Sequence, residues 1–392
     1  MFYIPTQQHT PVHYFCGHSL GLQPKRTKEY LEAELAKWAE QGVEGHFEGP
    51  HPWLHYHALL KPGLAMLTGA KESEVVAYGS LSSNLHFLLA SFYRPTAKRY
   101  KILSEETNFP SDRFALETHV EFKNYTSKEA LIWVEKSDKY CYDTDLILSL
   151  IHTHHQELAL VWLSSVNFLS GQVLDIPTIV AEAQKYDIKV GLDLAHAIGN
   201  IPMHLHDWGV DFAVWGSYKY LNGGPGATGG YFVHEKHFPS NSNPIPILAG
   251  WWGHLEETRF LTGHSFSPLP NADAWQHSNA NVLSMAAIRA SLDIFLERGI
   301  QTLHQTSFRN TELAIDVLEK NTKCVLLTPR AARGNMISIQ LKEPKREILE
   351  RLKEQNIWVD WREPGIMRFS FCPLYTTEKE WEQFLSTLAK LL

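Results

Sequence analysis

"DFAVWGSYKYLNGGPGATGGYFVHE", residues 211–235, places one lysine between two tyrosines at the end of an apolar run, then glycines, then a second apolar run. The two apolar runs read as short strands, so Lys219 stands just past a strand end. The connection contains a literal G-x-G-x-x-G, from Gly224 to Gly229. A dinucleotide-binding loop of that form follows a strand and opens a helix, with an acid about twenty positions on. Here it leads into a strand. The glycines therefore predict a tight turn that lets the chain pass close to a ligand.

Working outward, "IKVGLDLAHA" (188–197) is a further apolar run, and "LALVWLSS" (158–165) has the near-continuous apolar character of a strand buried on both faces. Between them "DIPTIVAEAQKYD" begins with an Asp cap and a first-turn proline, and Ile179, Ala183 and Tyr186 share a face. "YKILSEE" (100–106) and "ALIWVE" (130–135) are strand-like, and "VVAYGSLSSNLHFLLASFY" reads as strand, Ser-rich turn and helix. The alternation predicts an α/β domain with a mostly parallel sheet flanked by helices. Residues 26–41 predict a helix with Leu31, Leu35 and Trp38 on one face and Gly42 as its stop. Beyond about residue 280, two amphipathic helices precede "GNMISIQL", "REILERLKEQN" and "GIMRFSF". This pattern predicts a smaller C-terminal α/β domain. The expected division is an N-terminal segment over 1–50, a large domain over 51–280 and the small domain over 281–392.

The chain has 392 residues, 44% hydrophobic and 20% charged, with net charge −7 and no basic block, which argues against nucleic acid as a partner. No apolar run is long enough to span a bilayer, and no signal-peptide pattern opens the chain. Four scattered cysteines suit a reducing cytoplasm. Histidines cluster at His152/His154/His155, His204/His206 and His51/His55/His57. No cluster is joined by the carboxylate or cysteine ligands that zinc sites usually add, so no metal is expected.

Three features converge around Lys219. Asp193 ends an apolar strand, where a carboxylate needs a cationic partner. Lys219 follows the end of another strand. Upstream, "GSLSSNLHF" places a Ser-rich turn at a helix N-terminus, which suits a phosphate. A Schiff-base lysine, an acid for a pyridinium nitrogen and a phosphate cradle are what pyridoxal 5'-phosphate requires.

Further segments carry a resemblance: "FCGHSLGLQP" (15–24), "GHFEGPHPW" (45–53), "LSSN" (81–84), "NFPSD" (108–112), "SGQVLDIP" (170–177), "VGLDLAHAIGN" (190–200), 205–237, "GWWGH" (250–254), "SNANVL" (278–283) and "GIMRFSFCPLY" (365–375). With these, nearly the whole chain resembles the kynureninase family of fold type I, aspartate aminotransferase-like enzymes. The resemblance implies a cofactor on Lys219, Asp193 against its ring nitrogen, and His196 beside it. It implies Phe109 stacked on the ring, with Ser111 and Asp112 close by. Leu81, Ser82 and Tyr218 would hold the phosphate end, and Ser164, Trp251 and Asn279 would also contact the cofactor. Arg368 would clamp a substrate α-carboxylate, a bidentate task that suits arginine. Ser19, His46, Ser278 and Asn279 would face the substrate, and the His, Ser and Asn are those of the animal-type enzymes that favour 3-hydroxykynurenine.

Two positions depart from the usual pattern: His18 where Asn or Asp is common, and Ser82 where Thr is common. The implied reaction is hydrolysis of L-kynurenine, or its 3-hydroxy form, to anthranilate, or its 3-hydroxy form, and L-alanine. Lys219, Asp193 and Tyr218 would be catalytic. A homodimer is implied, with Trp251 and Asn279 reaching the partner's site. The competing readings are a cysteine desulfurase or selenocysteine lyase, which needs a mobile nucleophilic cysteine, and a non-catalytic binder of the cofactor.

Overall fold

Short, fully apolar runs separated by polar connections can bury both faces only inside a covered sheet, and the runs around Lys219 do so. The computed structural model describes residues 1–239 and 244–392. Its main sheet contains β1 Val75–Ala77, β2 Lys101–Glu105, β3 Leu131–Val134, β4 Leu158–Ser164, β5 Lys189–Asp193, β6 Phe212–Trp215 and β7 Gly230–Val233. The spatial order is β1-β7-β6-β5-β4-β2-β3. β7 is antiparallel to both neighbours, and every other pairing is parallel. The expected mixed, mostly parallel sheet is present.

Alternation along each strand divides the core into two layers. Leu103, Val161, Leu163, Leu192 and Trp215 pack on one side with Ile179 and Val180 of the helix Ile176–Gln184. Ile102, Leu160, Trp162, Phe212 and Val214 pack on the other with Leu85, Leu88 and Leu116. The latter belong to α1 Leu81–Phe92 and α2 Pro110–Phe122. A second, antiparallel sheet has β8 Cys324–Leu326, β9 Met336–Leu341, β10 Asp360–Arg362 and β11 Ile366–Ser370 in the order β8-β9-β11-β10. Trp381 and Phe384 of the C-terminal helix cover it, and Phe15 inserts into the same core. The N-terminal segment is tied there by His13–Tyr14, which pairs parallel with Ile357–Trp358.

Two local features go beyond the sequence pattern. The helix Thr27–Gln41 forms and ends at Gly42 with φ +55°, but Leu35 and Trp38 are 47% and 61% exposed. Its inward side is instead polar: Tyr30 bonds Asp293, Arg26 pairs with Glu297, and Glu34 accepts from Trp53 Nε1 at 2.7 Å. Of its apolar stripe, Leu35 and Trp38 face outward and Leu31 packs on the core.

The glycines after Lys219 also serve another purpose. Gly224 and Gly226 turn the chain at φ +91° and +67°, whereas Gly229 lies against backbone. A Cβ there would stand 2.6 Å from the Trp215 carbonyl oxygen and 3.0 Å from the Leu81 nitrogen. Through Gly229 the loop closes on the N-terminus of α1. Gly229→Ala should therefore cost about 1–3 kcal/mol through overpacking, read as a lowered midpoint in urea unfolding. An unchanged midpoint would remove this packing constraint.

Candidate active site

In a doubly covered parallel sheet the strand carboxyl ends are the natural place for a ligand, and the polar residues gather there. Asp193 ends β5, Ser164 ends β4 beside it in register, and Lys219 follows β6. Asp193 accepts from the Ala195 N–H at 2.7 Å. The backbone of Lys219 is fixed from the N-terminal segment: Gly21 N–H donates to the Tyr218 carbonyl at 2.8 Å. A Cβ on Gly21 would lie 2.2 Å from the Lys219 carbonyl oxygen, so "GHSLG" meets the lysine loop as bare backbone.

Lys219 is only 8% exposed. Burial pushes its amine down to about 8, opposed by Asp193 and assisted by Arg368. Its Nζ lies 5.8 Å from the ring centres of both Phe109 and Tyr218. Burial raises the Asp193 carboxyl, while Lys219 pulls it back. Asp112, in the first turn of α2, is raised well above the carboxylate range by burial and by the facing charge of Asp193. His196 is held well below its ordinary value by burial and by Lys219, so its imidazole is neutral.

One cavity is lined by Ser80, Leu81, Ser82, Phe109, Ser111, Phe168, Asp193, Ala195, His196, Tyr218 and Lys219. It gathers eight of the residues expected around a cofactor, together with Ser80, Phe168 and Ala195, which were not expected. Ser80 caps α1 by accepting from Ser83 N–H at 3.2 Å. The N–H groups of Leu81 and Ser82 then have no acceptor within the helix. Asp112 Oδ1 and His196 Nδ1 are buried without a protein partner. These features fit pyridoxal phosphate: free N–H groups at one end, buried acids at the other, an aromatic ring at the face and an amine in reach. Ser164 does not line the cavity; its hydroxyl bonds Glu105 at 2.8 and 2.7 Å.

Arg368 is 1% exposed on β11, an inner strand of the second sheet. Its guanidinium pairs with Asp360, donates to the Phe168 carbonyl at 2.5 Å and reaches Ser19 Oγ at 3.4 Å. Ser19 in turn donates to Asp360 at 3.0 Å. Arg368 Nε is buried and has no partner. His18 is fully buried between Ser370 Oγ, at 3.2 Å, and Asp360, at 3.4 Å. Burial lowers it to about 4. Burial would raise Asp360, yet His18 and Arg368 hold its carboxyl far below the usual range.

Four expected residues stand apart from this cavity within the chain. His46 Nδ1 approaches the Val43 carbonyl at 3.1 Å, and Trp251 donates to the Arg259 carbonyl at 2.9 Å. Ser278 N–H donates to Tyr78 at 3.2 Å, and its neighbour Asn279 lines no part of the cavity. The histidine clusters are less isolated than their sequence neighbours suggest, because His206 meets Glu74 at 2.9 Å and the two lie with His234 within 4.8 Å. Glu74 also accepts from the N–H groups of Lys71 and Glu235, and His234 Nδ1 accepts from Lys236. The backbone thus occupies this cluster.

A family model for class-V aminotransferases matches residues 60–384. The chain is 44% identical over 384 residues to a kynureninase of Myxococcus xanthus, covering 96% of this chain and 89% of that one. The chain belongs to the kynureninase family. A Koribacter versatilis kynureninase is 44% identical over 95% of the chain and 88% of its own length, and one of Flavobacterium johnsoniae 41% over 99% and 93%. Solved structures of the same fold include a cystine C–S lyase, at TM-score 0.79 and 18% identity, covering 96% of this chain and 97% of that one. A cysteine desulfurase of Escherichia coli follows at TM-score 0.79 and 15% identity, with 99% and 96% covered. At such identities these two establish the fold type I architecture alone.

Only a neutral amine adds to an aldehyde. The rate at which the apoprotein takes up pyridoxal phosphate, followed by absorbance, should therefore rise with pH through about 8, where Lys219 loses its proton. A rate flat between pH 7 and 9 would contradict the placement of this lysine.

Proposed function

We propose that the protein is a pyridoxal-phosphate-dependent hydrolase that cleaves the Cβ–Cγ bond of L-kynurenine, or its 3-hydroxy form, to give anthranilate, or its 3-hydroxy form, and L-alanine. The carrying observation is that Lys219 and Asp193 line one cavity, with buried Arg368 near enough to act on the Lys219 amine, in a chain 44% identical to kynureninases. Bound cofactor supplies an electron-withdrawing ring that stabilises negative charge at the substrate Cα.

The side chains divide the remaining work. Arg368 orients the substrate through its α-carboxylate, with Nε the free donor. Lys219 would hold the cofactor, and its freed Nζ would take the substrate Cα proton; an amine titrating near 8 is matched to that task. Asp193 would hold the ring nitrogen of the cofactor, and a pyridinium there would keep it ionised and relieve the cost of its burial. Water adds to the γ-carbonyl, and Tyr218, whose hydroxyl burial keeps protonated, moves a proton in that step.

Ser164, Trp251 and Asn279 complete our cofactor set, and Ser19, His46, Ser278 and Asn279 our substrate set. Several of these require a second subunit, and an exposed aromatic patch supports a homodimer. Trp251 and Phe260 are 46% and 59% exposed with rings 5.6 Å apart, and exposed Phe47 lies 6.4 Å from Phe260. Patches of this kind mark interfaces. Leu35, Trp38 and Val43 add further exposed apolar surface on the N-terminal part of the chain. No helix among the described residues is long and apolar enough to cross a membrane. The four free cysteines support a cytoplasmic location.

A desulfurase reading lacks its nucleophile. No cysteine lines the cavity. Burial pushes Cys16 up to about 12, and Cys372, just past the end of β11, up to about 11, so neither is a ready thiolate.

Purified protein loaded with pyridoxal phosphate should release fluorescent anthranilate from L-kynurenine. Lys219→Ala should lose about 10³-fold or more in turnover. Absence of anthranilate from the wild type, or an active Lys219→Ala, would overturn the proposal. Phe260→Asp should shift light-scattering mass from dimer to monomer and depress turnover together. A dimer of unaltered activity would show that this patch is not the interface.

A further inference from the structure

A fully buried carboxylate that faces the catalytic acids without lining the cavity needs a reason to be there. Glu105, at the end of β2, is fully buried. Its Oε2 accepts from the Ser164 N–H and hydroxyl, each at 2.7 Å, and its Oε1 from the Ser164 hydroxyl at 2.8 Å and Asn167 Nδ2 at 3.2 Å. Asp193, Asp112 and Tyr142 are the titratable groups facing it. Burial raises its carboxyl to about 7, against the hydrogen bonds of Ser164 and Asn167.

Those bonds reach both parts of the site. Ser164 is the register partner of Asp193, and Ser165 N–H donates to the Asp193 carbonyl at 3.0 Å. Asn167, held through its amide nitrogen by Glu105, uses its Oδ1 to accept from Leu169 N–H, Ser170 N–H and Ser170 Oγ at 3.0, 3.0 and 3.1 Å. Phe168 is fixed inside that turn. Its ring lines the cavity edge-on to Phe109, with centres 5.4 Å apart, and its carbonyl takes the 2.5 Å bond from Arg368.

We propose that Glu105 is a positioning residue for the reaction: it braces the segment Ser164–Phe168 so that the Phe168 carbonyl aims Arg368 at the substrate α-carboxylate while the Phe168 ring closes the cavity against Phe109. A carboxylate suits this role because it meets three donor groups with two acceptor oxygens. Glutamine of the same size would turn an NH₂ toward one of those donors, and a buried mismatch of that kind loosens what it holds. The proposal rests on the hydrolase reading for the identity of the substrate, and on geometry alone for the link to Arg368.

The test is Glu105→Gln in the holoprotein. KM for L-kynurenine should rise about tenfold or more with kcat changed by less than about threefold, the signature of lost carboxylate binding. The dissociation constant for L-alanine, read from the absorbance of the bound cofactor, should rise by the same factor. With Arg368→Lys in the background, adding Glu105→Gln should change either quantity by less than about twofold, because both act on one contact. Asn167→Ala, which leaves Glu105 joined to Ser164 and cuts only the link to Phe168, should reproduce the KM and L-alanine effects, and it serves also if Glu105→Gln does not fold. L-alanine binding within about twofold of wild type in the folded variants, or effects that multiply fully with Arg368→Lys, would overturn the proposal. If the wild type releases no anthranilate, the hydrolase reading fails, while the L-alanine titration still decides the role of Glu105.

Discussion

Burying one ammonium among several carboxylates in a dry sheet edge is costly unless each charge answers another. Lys219 is that ammonium, with Asp193 on the adjacent strand end and Asp112 and Glu105 behind it. Much of the molecule can be read as support for this arrangement. Parallel strands bring the two bearing residues side by side at their carboxyl ends, and Gly21 lets the N-terminal segment lie on the lysine backbone. A bound pyridinium would bring Asp193 a further cationic partner.

The substrate side has a related logic with the sign inverted. Arg368 is buried on an inner strand and would be intolerable alone. Asp360 neutralises it, and Ser19, His18 and the Phe168 carbonyl hold the pair in place. The proposed clamp is therefore assembled from the N-terminal segment, the second sheet and a loop of the main sheet. His18 takes part as a neutral imidazole, and no charge is added at the departure from the commoner Asn or Asp.

Much of this was legible in the sequence because strand periodicity and a terminal charged residue are local signals. Asp193 and Lys219 could be found by asking which apolar runs end in an ionisable group. Asp360 could have been found too: counting outward from the Glu363–Gly365 turn sets it opposite Arg368, as the register shows. Glu105 carried no such signal, since an acid pair closing "YKILSEE" reads as a solvated strand end until the fold buries it. The exposure of Leu35 and Trp38 was not legible, because periodicity shows that a helix has an apolar face, not which neighbour covers it. His46, Trp251, Ser278 and Asn279 line no part of the cavity in this chain, and under the proposed homodimer Trp251 and Asn279 would reach the partner's site.

The pairing of Lys219 with Asp193 at adjoining strand ends can be tested without any substrate. Holoprotein reduced with sodium borohydride and digested should carry the pyridoxyl mass on the peptide containing Lys219, and Asp193→Asn should lower the amount retained after dialysis. A label on another lysine, or cofactor retention indifferent to Asp193, would contradict the arrangement on which this structure depends.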